Sequence, residues 1–344
     1  MSHFRRAGFM LGVVGLAAAA VWGVAHAQGV TKATDASFVR DDSWPQLPPG
    51  IKLTTVTSML ANDDGTLWVL HRSEPPIMLL DSTGTIIKSF GDKMFVQAHG
   101  LCKDRQGNIW AGDAGAFNAD RDKGMAGRGS QFFKFSPDGK LLMTLGKAGV
   151  SKSGPDTFVG PTSCVVAPNG DIIISDGHIP RPTHVDSGDR LIRFSSDGTY
   201  IRDYGNTGSA RGEFRGPHQL AYDSQGRLFV ADRQNSRFQV FDRNMNVVAI
   251  WTQFGRPSGF SILKDDTLVT IDSESGRVLT WADFPDTDLK APRNPGYTTG
   301  VRIGSAKTGV VSLHFDSPVS EAVAADPMGN LYIGGPGYKF LRKQ

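Results

Sequence analysis

The chain has 344 residues, including 41 glycines and 19 prolines, and is 21% charged and 39% hydrophobic, with a formal net charge of +3. So many turn formers exclude a coiled-coil or long-helix protein, and the balance of 37 basic against 34 acidic side chains excludes a disordered tail and leaves no footprint for nucleic acid. A chain of this size can bury a large core.

Residues 1–27 read as an export signal. Arg5 and Arg6 form a basic start, Phe9 to Val24 is an apolar run, and Ala25-His26-Ala27 offers the small-x-small cleavage pattern. The alternative is an uncleaved anchor, for which the run is a little short; the Arg5-Arg6 pair also admits twin-arginine export. Export predicts a periplasmic or secreted protein whose mature part, 28–344, is one domain. Losing Arg5 and Arg6 lowers the formal charge from +3 to +1, so neither nucleic acid nor an anionic membrane is an expected partner, and a monomer is expected.

A unit of about 40 to 55 residues then recurs along the chain. Its clearest copy runs through Pro217-His218-Gln219-Leu220-Ala221-Tyr222-Asp223, Gly226-Arg227-Leu228-Phe229-Val230-Ala231-Asp232, Arg237-Phe238-Gln239-Val240-Phe241 and Asn246-Val247-Val248-Ala249-Ile250-Trp251. These read as four strands, a to d, of one propeller blade. The turn between strands a and b needs a left-handed backbone that glycine reaches at least cost. Gly65, Gly107, Gly170, Gly226 and Gly329 fill that turn in five copies, and Asp266 fills it in the remaining one. Six such copies predict an all-β fold, a six-bladed β-propeller of four-stranded blades. The last copy runs out after its third strand, and 36–44 are expected to supply the fourth and close the ring. A single bridge between Cys102 and Cys164 is possible, but they fall at neighbouring, non-equivalent strand positions that face opposite ways, so two unbridged thiols are expected.

The same register locates the centre. Eight residues before each turn, at the start of the innermost strand, the ring reads Thr57, His99, Thr162, His218, Ser258, Glu321. His99, His218 and Glu321 occupy alternate blades and converge on the axis; two imidazoles and a carboxylate are a set used for catalytic zinc, and they suit Fe2+ as well. Either histidine alone reads equally as a strand cap, and Glu321 as the partner of a buried arginine. One residue past the end of strand b the ring reads Arg72, Ala114, Gly177, Arg233, Ser273, Pro336. Arg72 and Arg233 therefore stand on the metal's rim, where they could hold a substrate carboxylate or an oxyanion, or pair with the blade-end aspartates Asp113, Asp176 and Asp232. Those aspartates read as ties to backbone amides. Two long loops, 115–130 and 178–189, open on this rim. His178 lies within reach of the centre; His184 reads as surface loop, and His71 and His314 as strand-face histidines.

These residues resemble the peptidyl-α-hydroxyglycine α-amidating lyase family, six-bladed propellers with NHL-type repeats, over most of 44–344. The resemblance is carried by Leu70-His71-Arg72, His99-Gly100-Leu101, Ser175-Asp176-Gly177, Pro217-His218-Gln219-Leu220-Ala221 and Ala231-Asp232-Arg233-Gln234-Asn235. It implies cleavage of a peptidyl hydroxyglycine to an amide and glyoxylate, His99 and His218 as zinc ligands, and Arg72 and Arg233 as active-site arginines. Three positions depart from the pattern. Glu321 stands where the family has its third zinc histidine, His178 where it has its catalytic tyrosine, and Ala322 where it has an aspartate serving a structural calcium, so calcium is not carried over. The reading is an exported, metal-dependent lyase acting on a small molecule or peptide with a carboxylate, with His178 moving a proton. The alternatives are a non-catalytic propeller that binds a peptide, protein or glycan, and a lactonase-like hydrolase.

Overall fold

Alternating apolar strands divided by turns fold into six antiparallel four-stranded sheets. In the computed structural model, which describes residues 37–115, 125–178, 188–278 and 293–343, the chain begins with β1 (Phe38–Asp41). Blade one is β2 (Val56–Ala61), β3 (Leu67–His71), β4 (Ile77–Leu80) and β5 (Ile86–Phe90). Blade two is β6 (Ala98–Lys103), β7 (Ile109–Asp113), β8 (Gln131–Phe135) and β9 (Leu141–Leu145). Blade three is β10 (Pro161–Val166), β11 (Ile172–Asp176), β12 (Arg190–Phe194) and β13 (Tyr200–Tyr204). Blade four is β14 (Pro217–Tyr222), β15 (Leu228–Asp232), β16 (Arg237–Phe241) and β17 (Val247–Trp251). Blade five is β18 (Pro257–Ile262), β19 (Thr267–Asp272), β20 (Gly300–Ser305) and β21 (Val311–Phe315). Blade six is β22 (Val323–Ala325), β23 (Leu331–Ile333), β24 (Tyr338–Arg342) and, from the other end of the chain, β1.

β1 closes the ring as the strand count requires, with Phe38 opposite Arg342 and Asp41 opposite Lys339. The first strands of the blades touch in succession around the axis, β2 to β6, β10, β14, β18, β22 and back to β2. All six turn residues of the repeat, Asp266 included, have positive φ, between 68° and 90°. The expected leader, 1–27, lies outside the described residues; among those described no helix is long and apolar enough to cross a membrane.

Each seam between neighbouring sheets holds its own apolar cluster, because both faces of every blade are covered. In the seam between blades two and three, Phe132, Phe158, Ile172 and Ile174 pack around a disulfide joining Cys102 to Cys164, with Cα atoms 5.7 Å apart. This corrects the expectation of two free thiols. Sheets in a propeller stack back to front, so side chains pointing in opposite senses from adjacent blades meet in the seam between them. The opposite facing that seemed to forbid the bridge is what brings the sulfurs together.

Candidate metal centre

The first strand of five blades carries a β-bulge near its start, as between His99 and Leu101 and between Pro217 and Leu220. The bulge turns the side chains at this level onto the next blade. Thr57 Oγ1 donates to the carbonyl of Ala98 (3.1 Å) and Thr162 Oγ1 to that of Pro217 (2.6 Å). His99 Nδ1 lies 2.8 Å from the carbonyl of Thr162, and His218 Nδ1 2.6 Å from that of Ser258. Gly100 makes the first of these imidazole contacts possible: its φ is +66°, and a Cβ there would stand 1.8 Å from the Thr162 oxygen.

These hydrogen bonds decide the imidazole chemistry. A carbonyl only accepts, so Nδ1 carries the proton in both rings and Nε2 presents its lone pair to the axis. The Nε2 atoms of His99, His218 and a third ring, His178, are buried and have no hydrogen-bond partner among the described residues. The three rings offer ligand atoms all within 4.8 Å of one another, with ring centroids 4.4 Å apart for His99 and His178, 4.6 Å for His99 and His218, and 5.3 Å for His178 and His218. Burial lowers the pKa of His99 to about 4 and that of His178 and His218 well below the usual histidine range; Arg233 nearby adds to each shift. Three neutral, convergent, unpartnered nitrogens fit a divalent cation with a coordination position left open.

His178 reaches the centre from the residue pair after β11. Gly177, at φ +125°, packs where a Cβ would meet Asp189 Oδ1 at 2.3 Å, and the His178 amide donates to the carbonyl of Gly160 at 3.0 Å. Asp189 is itself fixed, accepting from the Gly216 amide at 2.7 Å.

Glu321 takes a different place. Its Oε2 lies 3.9 Å from His99 Nε2 and 3.7 Å from an Arg72 nitrogen, while Oε1 accepts from Arg233 at 3.3 Å. The geometry thus gathers His99, His218 and His178 as the nitrogen set, and sets Glu321 between the two arginines beside it. The ion pairs continue: Arg233 stands 3.4 Å from Glu274, which accepts from Arg256 Nε at 2.5 Å, and Arg256 also holds Gln234. Burial pushes the Glu321 carboxyl up, but Arg233 and Arg72 outweigh it and hold it below the usual carboxylate range; Glu274, between Arg233 and Arg256, is held down to about 2.

The blade-end aspartates are ties. Asp113 accepts from the amides of Val96 and Gln97, Asp176 from Val159 and Gly160, and Asp232 from Arg215. Their arginine partners are Arg190 for Asp176 and Arg237 for Asp232, rather than Arg72 or Arg233. His71 is buried against the Pro75 carbonyl, and His314 Nε2 lies 3.3 Å from that of Thr299. His184 and most of the two long loops fall outside the described residues. Glu274 and Arg256 escaped the sequence reading, although a signal was present. One step further along the rim register the ring reads Ser73, Gly115, His178, Gln234, Glu274, Gly337, which exposes His178 and Glu274 together.

Beyond Glu321 lies a cavity of about 460 Å³ walled by blades five, six and one, with Leu53, Val56, Ser273, Arg277 and Pro336 in its lining. Glu321 and Glu274 also face it.

The NHL repeat family matches residues 214–241, the first three strands of blade four. The chain is 28% identical to peptidyl-glycine alpha-amidating monooxygenase B of Xenopus laevis over 239 residues, 60% of this chain and 25% of that protein. It is also 28% identical to peptidyl-alpha-hydroxyglycine alpha-amidating lyase 1 of Drosophila melanogaster over 242 residues, 60% of this chain and 40% of that one. The matches therefore span a quarter to two fifths of these relatives' length. Among solved structures, a streptogramin B lyase superposes with a TM-score of 0.55 at 16% identity, covering 90% of this chain and 99% of that one. At that identity the likeness is one of fold.

Proposed function

We propose that this six-bladed NHL propeller, similar in sequence to amidating lyases, is an exported metal-dependent lyase that cleaves a carbinolamide such as a peptidyl α-hydroxyglycine to an amide and glyoxylate. The observation that carries the reading is the convergence of three buried, unpartnered Nε2 atoms on one point of the axis. A zinc or ferrous ion held by His99, His178 and His218 would supply Lewis-acid polarisation of a substrate oxygen.

The chain's own residues supply the rest. The Thr162 and Ser258 carbonyls lock His99 and His218 in the ligating tautomer, and burial keeps all three rings neutral. Membership in the ligand set withdraws His178 from the proton-moving role that its place in the sequence suggested. Arg72, Arg233 and Arg256 outnumber Glu321 and Glu274 at the rim, and Arg277 lines the cavity, so the site keeps a cationic surplus for a substrate carboxylate. The reaction is redox-neutral: the hydroxyl O–H bond and the C–N bond break, a C=O bond forms, and the proton ends on the departing amide nitrogen.

The test is glyoxylate release from a peptidyl α-hydroxyglycine by the purified protein. His99→Ala and His218→Ala should each lose roughly 100-fold or more in rate, beyond the ~10–100-fold that loss of a ligand's outer-shell partner costs. Undiminished release in both variants would contradict the reading.

A further inference from the structure

One atom beside the three nitrogens is left without a hydrogen-bond donor, although an Arg72 nitrogen stands 3.7 Å from it. Glu321 Oε2 is buried and accepts no hydrogen bond among the described residues, while Oε1 of the same carboxylate is engaged by Arg233. A buried carboxylate oxygen without a donor is costly. This oxygen thus stands 3.9 Å from the His99 nitrogen, at the edge of the three-nitrogen cluster. The nitrogens come from blades two, three and four, leaving the side toward blade six open. Glu321 stands on that side, with the cavity behind it.

A cation answers the three nitrogens, whereas Glu321 Oε2 calls for a hydrogen-bond donor. A hydroxyl group fits both demands, because its oxygen keeps lone pairs for the centre while its proton points to the carboxylate. We propose that Glu321 Oε2 accepts a hydrogen bond from the hydroxyl on the reacting carbon of the substrate, whose remainder lies in the cavity along blades five, six and one. Glu321 is then the residue that selects a hydroxyl-bearing substrate, since an analogue lacking that group leaves its oxygen orphaned. The two arginines act through it: Arg233 and Arg72 turn the carboxylate and keep Oε2 toward His99. This assignment depends on the lyase reading above.

The experiment uses a non-cleavable isostere in which carbon replaces the scissile nitrogen, a 2-hydroxy-4-oxo acid, and its deoxy counterpart, with binding measured by calorimetry on zinc-loaded protein and zinc content measured in parallel. The wild-type protein should bind the hydroxy form about tenfold or more tightly than the deoxy form, as expected for a hydrogen bond to a charged group. Glu321→Ala should lose that preference while keeping one equivalent of zinc and the wild-type affinity for the deoxy isostere. In Glu321→Gln the hydrogen bond from Arg233 draws the amide oxygen to the Oε1 position and leaves the NH2 group in the place of Oε2, so the preference should vanish there too. Melting temperatures identify any variant that fails to fold. A preference that persists in both folded variants overturns the assignment, and so does zinc-loaded wild-type protein that binds both isosteres equally, which leaves the lyase reading standing. Wild-type protein that binds neither zinc nor isostere overturns the lyase reading, and this assignment with it.

Discussion

The rim of blades two to four and the rim of blades five, six and one are built from the same repeat but hold their side chains by different means. On the first, neutral imidazoles are fixed by carbonyls of the next blade, and the Cys102–Cys164 disulfide joins the inner strands of blades two and three beneath them. On the second, Arg72, Glu321, Glu274 and Arg256, joined by Arg233 reaching over from the end of blade four, alternate in sign across the blade ends. Convergent lone pairs line the first, and a chain of alternating charges with one arginine in surplus lines the second. One half is organised by hydrogen bonds and a covalent link, the other by electrostatics that depend on both partners staying ionised.

The largest effect that would break this contrast is the loss of Glu274. Its carboxylate separates two buried guanidiniums, so Glu274→Ala leaves Arg233 and Arg256 facing each other, and urea unfolding should show a loss of about 3–5 kcal/mol. An unchanged urea midpoint would show that the ladder is not what orders that rim. In the other half, reduction of the disulfide, which closes a separation of 62 residues, should cost about 4 kcal/mol, read as a lower unfolding midpoint in reductant. Equal midpoints with and without reductant would remove the staple from the account.

Acid separates the halves by window. The folded protein holds His99 near pKa about 4 against 6.5 for a free imidazole, so metal-free protein should lose about 3 kcal/mol as pH falls from 6.5 toward 4, because the unfolded chain takes up the proton first. Glu274, held to about 2 against 4.5, contributes stability that is complete above 4.5 and should drain, again by about 3 kcal/mol, as pH falls from there toward 2. His99→Ala should shrink the first window, to which His178 and His218 also contribute, and leave the second untouched. A single acid transition unaffected by that substitution would contradict the division.

The fold was legible because one backbone requirement, a left-handed residue after the innermost strand, repeats in sequence at Gly65, Gly107, Gly170, Gly226, Asp266 and Gly329 and fixes every strand around it. The same register led to His99, His218 and Glu321, but it measures position along a strand and is silent on how far a side chain leans. His178 sits one step beyond the register position that was read and swings inward on Gly177, whereas Glu321, one of the three positions read as converging, is drawn aside by Arg233 and Arg72. Opposite facings likewise hid the disulfide, since strand alternation describes a single sheet and the bridge belongs to the seam between two.

The central claim is that the centre is held by His99, His178 and His218, with Glu321 beside it. Metal content by mass spectrometry of the purified wild-type, His178→Ala and Glu321→Gln proteins tests this most directly. The account predicts one equivalent of zinc or iron in the wild type and in Glu321→Gln, and less than a tenth of that in His178→Ala, in line with at least a ~100-fold loss of affinity. Metal retained by His178→Ala and lost from Glu321→Gln would contradict it.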